Sequence, residues 1–167
     1  MFTIGDRIIY GSSGVCDITD ISTLNIEGVP KDKLYYILSP YGRNESHIYA
    51  PVENCKVIMR KMLTREEALA LLDELPALEP IEAGTDRQRE QLYRECIKSC
   101  DCRLLIRIIK TLWLRSQSRV GSGKRISSLD ERYFKLAEEH LYSELAIALG
   151  MEKQEVGPYI ETRMKTL

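Results

Sequence analysis

The residues "GSGKR" at positions 121–125 carry the side-chain types of a phosphate cradle: two glycines, a serine and adjacent cations. A nucleotide P-loop needs G-x-x-x-x-G-K-[ST] between a strand and a helix, with backbone N–H groups around the phosphates and a hydroxyl on magnesium. Counting back from Gly123-Lys124, the first glycine position holds Ser118, and the magnesium position holds Arg125. The residues before the loop read as helix rather than strand. The loop therefore reads as a flexible basic connector, with Lys124 and Arg125 reaching nucleic-acid phosphates. Such contacts position a protein without reading sequence.

Other chemistry is sparse. Cys96, Cys100 and Cys102 cluster as C-x3-C-x-C, but the paired arms or nearby histidine of a structural zinc site are missing, since His47 and His140 lie far away. These thiols read as small buried side chains. No HExxH and no G-x-S-x-G occurs. His140 falls on the apolar side of a predicted helix, and Glu66-Glu67, Asp73-Glu74 and Glu138-Glu139 read as charges on solvated helix faces. No nucleophile is paired with a base, so the expectation is a protein that is not an enzyme and has no metal, cofactor or small-molecule substrate. Five cysteines without a signal-like N-terminus, and no run of apolar residues long enough to span a bilayer, predict free thiols and a cytoplasmic protein with no membrane partner.

Charge is more informative. The net of −1 hides a basic block: residues 84–135 carry thirteen cations against six acids. From Cys102 to Leu129 there is no acid, against seven cations: Arg103, Arg107, Lys110, Arg115, Arg119, Lys124 and Arg125. A near-neutral chain with one such block suits a polyanion at one place.

The elements that must position these residues divide into two halves. Residues 1–60 read as five short strands ("DRIIYG", "GVCDITDIST", "KLYYIL", "SHIYAP", "CKVIM") separated by Gly/Pro/Asn turns, as in a small, strongly bent Tudor/SH3-like β-barrel. A helix over 64–75 opens with a Thr64/Glu67 capping box, and a linker over 76–84 follows. Residues 85–167 read as an all-α bundle. One helix runs from Thr85 to about Ser99 and one from Asp101 to Ser116; another has Ser128 and Glu131 as its capping box and Gly150 as its stop; the last spans about 153–165. The class is α+β. At 100° per residue the helix from Asp101 places Leu104, Leu105, Ile108, Ile109 and Leu112 on one face and Arg103, Arg107 and Lys110 on the other. Trp113 reads as a packing residue between helices. Tyr35 and Tyr36 must point to opposite faces of their strand, which leaves tyrosine surface exposed for a partner.

The segments "FTIGDRIIYGSSGVCDITDI", "YAPVENC" and "REEALALLDEL" resemble the N-terminal module of CarD/CdnL-type transcription regulators, a module shared with transcription-repair coupling factors. "IKTLWLRSQ" and "SSLDERYFKLAEEHLYSELAIAL" are similar to the helical half of that family, in the same order. The resemblance implies an N-terminal domain that docks on the β subunit of bacterial RNA polymerase and a C-terminal domain that contacts promoter DNA, together stabilising the open complex. It puts the polymerase face at Leu24 and Tyr49, where other members carry arginine, and Tyr35, Tyr36 and His47 of the neighbouring predicted strands are expected to join that face. The resemblance implies a DNA face in the helical half, and the basic block there offers Arg87, Arg89, Arg107, Lys110, Arg115, Arg119, Lys124 and Arg125 for it, Lys124 and Arg125 in a loop longer than in other members. Asp86 aligns with the family's minor-groove tryptophan wedge, and Glu131 with a family lysine. The alternative is an adaptor that docks on polymerase without touching DNA.

Overall fold

The computed structural model describes residues 1–167 except Asn44, Asn54, Cys55, Ala83, Thr166 and Leu167, and excludes the side chains of Met164 and Lys165. The chain forms two compact units, Met1–Met62 and Leu63–Leu167.

The first unit is a five-stranded antiparallel sheet in the order β4-β3-β2-β1-β5. Its strands are β1 (Arg7–Tyr10), β2 (Gly14–Thr23), β3 (Leu34–Pro40), β4 (Ile48–Pro51) and β5 (Met59–Lys61). A 3-10 turn joins β1 to β2. Its Gly11 has φ 46° and sits where an added Cβ would lie 2.6 Å from the Val57 side chain, so only glycine fits. In β2 the apolar residues Ile18 and Ile21 are three apart, not two. The ladder explains this: Ile18 pairs Leu38 and Asp20 pairs Ile37, leaving Thr19 as a bulge whose hydroxyl donates to the Ile37 carbonyl at 3.0 Å. Ile8, Cys16, Ile18, Tyr36, Leu38 and Ala50 form the core, and burial pushes the Cys16 thiol up to about 11. The predicted fifth strand starts later than expected. Its first residue, Cys55, lies outside the described residues, and pairing begins only at Met59 because β1 ends opposite it at Tyr10.

The second unit is all helical: α1 (Arg65–Glu74), α2 (Asp86–Lys98), α3 (Cys102–Gly121), α4 (Ser128–Leu149) and α5 (Lys153–Lys165). Thr64 caps α1 with Glu67, and Thr85 caps α2 with Gln88, each as a reciprocal box. Asp101 caps α3 through the amides of Arg103 and Leu104. Helix α1 belongs to this unit: its Ala68, Leu71 and Leu72 share one core with Tyr93, Ile108, Leu112, Leu141 and Leu145. Buried Glu144 of α4 (2% exposed) accepts from the Leu63 amide at 3.0 Å and from the Cys102 thiol at 3.2 Å. Pro158 is the sixth residue of α5, past its first turn, and its missing N–H removes the helical bond to the carbonyl of Gln154.

Two expectations are corrected here. Helix α3 does not end near Ser116 but runs on to Gly121, because no breaker precedes the Gly-Ser-Gly. Helix α4 is flanked by Ser127, not Ser128, and no side chain caps it. Ser127 has the extended backbone of an N-cap, Ser128 is already helical, and Glu131 bridges Lys135 at 3.2 Å instead.

Candidate functional site

The cationic face of α3 is spent largely on its own chain. Arg103 makes a two-pronged bridge to Glu74, both contacts 2.7 Å, which holds the Glu74 carboxyl below its usual range. Arg107 Nε donates to the Glu79 carbonyl at 2.8 Å. Lys110 Nζ donates to the Leu75 carbonyl and, at 2.7 Å, to that of Leu78. Thr111, next to Lys110, accepts from the Ile81 amide at 2.8 Å and donates to the Arg107 carbonyl at 2.8 Å. Four side chains within about two and a half turns of α3 thus clasp residues 74–81. The segment expected as a linker is a strap laid along α3, and its carbonyls take the charge that a solvated face would offer.

Two more of the predicted DNA-facing arginines are inward. Arg89 is 7% exposed. Burial works against its charge, but bonds to Asp86 and Tyr93 outweigh that and hold its pKa up. Its Nε has no partner among the described residues. Arg115 Nε donates to buried Asp130 at 3.0 Å, and Asp130 also accepts from the Tyr93 hydroxyl at 3.3 Å. One polar chain, Asp86–Arg89–Tyr93–Asp130–Arg115, therefore ties α2, α3 and α4. Asp86, at the position of the aligned wedge, is the outer member of that chain and favours the N-terminus of α2.

The "GSGK" loop is a helix terminus. Lys124 N–H bonds to the Arg119 carbonyl at 2.8 Å and Gly123 N–H to that of Val120 at 3.0 Å, with Gly123 at φ 73°. This is a Schellman cap, in which a left-handed glycine lets the chain turn back on the last helical carbonyls. Arg119 Nε closes it on the Arg125 carbonyl at 2.7 Å. The expected flexible connector is a fastened turn that holds the side chains of Lys124 and Arg125 in solvent, without an ion-pair partner among the described residues. Arg87, exposed on the first turn of α2, is the third such cation of the predicted DNA face among the described residues. Gly150 ends α4 by the same device.

On the sheet, the register sorts the predicted polymerase residues. Tyr36 is 3% exposed on the inner face, its hydroxyl accepting from the Phe2 amide at 3.2 Å. Tyr35 is half-buried on the opposite face. Tyr49, paired with Ile37 across β3 and β4, is 46% exposed on that outer face. His47 is exposed just before β4, and Leu24 is half-buried just after β2. Strand β4 is the edge of the sheet next to these residues. Trp113, expected as inter-helix packing, is 53% exposed, because the strap covers the neighbouring side of α3 and leaves the indole at its margin. Thr111, Asp130 and Glu144 are the residues that sequence reasoning missed. A carboxylate inside "YSELAIAL" is the one signal that pointed to a buried partner.

Among the described residues no group of three or more His, Cys, Asp or Glu is placed to hold a metal, and no helix is long and apolar enough to cross a membrane. Residues 2–63 match the family described as the CarD-like/TRCF RID domain. Residues 67–161 match the one described as CarD, C-terminal domain. These matches account for the β unit and the helical unit in that order, and the chain belongs to the CarD family of non-enzymatic, RNA polymerase-interacting transcription proteins.

Proposed function

We propose that the β unit docks on the β subunit of RNA polymerase through the outer face around Tyr35 and Tyr49 and the β4 edge, while the helical unit contacts promoter DNA backbone through Arg87, Lys124 and Arg125 and so modulates open-complex stability. The observation that carries this reading is the fastened turn at 119–125, which holds outward two cations without an ion-pair partner among the described residues. An exposed strand edge flanked by apolar side chains is a ready template for a partner strand, which supports the β4 face as the docking surface. The test is an open-complex lifetime assay with full-length chain and purified polymerase. Tyr49→Glu is expected to abolish polymerase β-subunit pull-down. Lys124→Ala/Arg125→Ala is expected to leave pull-down intact and to lower the log–log salt slope of DNA binding by up to about 1.8, at about 0.9 per lost phosphate contact. An unchanged slope overturns the role of the turn.

The adaptor reading has an observation of its own. Arg89, Arg107, Lys110 and Arg115 are engaged within the fold, so the basic block offers far fewer charges than its composition promises. Pull-down by polymerase with no measurable DNA affinity at low salt decides for it.

A further inference from the structure

The helical unit holds a groove of about 560 Å³ between the strap, α3, α4 and α5. Trp113 and Leu114, each about half exposed, form one wall, and Phe134 and Tyr142 the other. Neighbouring exposed apolar side chains of this size on a helical surface mark interaction sites more often than chance. The rim is acidic on three sides: Glu79 from the strap, Glu138 from α4 and Glu161 from α5. Lys110 is the one cation of the described lining, and its ammonium is turned onto the strap carbonyls. Burial raises the Glu138 carboxyl, and burial together with the Glu138 and Glu161 charges raises the Tyr142 phenol; Glu138 is half-buried beside the apolar floor, while Glu79 and Glu161 stand exposed on the rim.

We propose that this groove is a docking site for a cationic amphipathic peptide segment of a partner protein. The segment lays its apolar residues over Trp113, Leu114 and Phe134 and its lysine or arginine side chains against Glu138 and Glu161. Charge complementarity selects this occupant. Three carboxylates against one engaged ammonium repel phosphodiester, although the groove lies beside the most basic segment of the chain. An aromatic anchor inside a charged rim is the composition of an interface centre.

Trp113 is the only tryptophan, so its emission reports the groove directly. Full-length protein is titrated with a synthetic leucine–lysine amphipathic peptide, with the same peptide carrying glutamate for lysine, and with a duplex DNA fragment. The proposal expects a saturable blue shift with the lysine peptide alone, weakened roughly five- to tenfold in Glu138→Gln/Glu161→Gln, whose melting is checked by circular dichroism. Single Glu161→Gln, at an exposed position, serves if the double variant melts early. Equal binding of both peptides, no shift with the lysine peptide, or a larger shift with DNA overturns the proposal. A blue shift that appears on concentrating the protein alone, with sedimentation showing a dimer, also overturns it and makes a second copy the occupant.

Discussion

Lys110→Met separates the two roles available to the cations of α3. Its ammonium donates to two strap carbonyls, and methionine keeps the length and apolar stem while removing both bonds. Hydrogen bonds from a charged donor contribute about 1.5–3 kcal/mol each. The pair is half exposed and shares one donor, so a total of about 2–3 kcal/mol is expected rather than the sum. For a unit of about 100 residues this corresponds to a fall in melting temperature of roughly 8–20 °C. Trp113 lies one helical turn from Lys110, and its fluorescence follows melting of the helical unit apart from the β unit. DNA affinity is measured alongside as a function of salt. The clasp predicts a large loss of stability with an unchanged salt slope, because a charge committed to carbonyls releases no counterion. Unchanged stability with a slope lowered by about 0.9 would refute the reasoning and return Lys110 to the DNA face.

Asp130→Asn keeps the shape of the buried chain but leaves Arg115 without its anion, while Arg89 keeps Asp86, so a loss of about 2–4 kcal/mol in urea titration is expected, below the full cost of a broken buried pair because Arg115 is partly exposed. Burial lowers the pKa of His140 below 6.5, so the unfolded chain takes up that proton first as pH falls. Stability must therefore drop as pH is lowered through about 6.5, and His140→Gln is expected to flatten that part of the stability–pH curve; the other histidine, His47, is exposed. Gly150→Ala forces a Cβ into a residue at φ 69° and is expected to cost about 1 kcal/mol by thermal melting.

The legible parts of the fold are those written by local chemistry. The Thr64 and Thr85 starts, the Gly150 stop and the ten residues of β2 follow from caps, turns and apolar spacing. The start of α4 was misread by one residue because two serines in a row offer the same hydroxyl, and only backbone geometry chooses between them. The site was less legible for a different reason. A run of cations without acids looks available, yet the acceptors that occupy Arg107 and Lys110 are backbone carbonyls, which have no letter in the sequence. Trp113 was misread for a related reason, since the strap that decides its exposure is drawn onto α3 by those same carbonyls. Lys124 and Arg125 were picked out correctly as exposed cations, but the glycine beside them read as slack when it is the closure of a cap.

Thr19 is the one residue of β2 that the sandwiching of faces does not require. Across the bulge, Cys16 and Ile18 stay inward and Asp17 and Asp20 outward, and Ile21 returns inward opposite Tyr36. Deleting Thr19 would leave Cys-Asp-Ile-Asp-Ile, a strictly alternating strand with every inward and outward position kept. The extra residue therefore encodes curvature alone, since a bulge bends and twists the strand that carries it. Its hydroxyl on the Ile37 carbonyl repairs the ladder gap that the insertion opens. Length and composition are thus separable inheritances in this strand. Substitutions can rewrite the core while one insertion, neutral to the core, sets the shape that a partner meets.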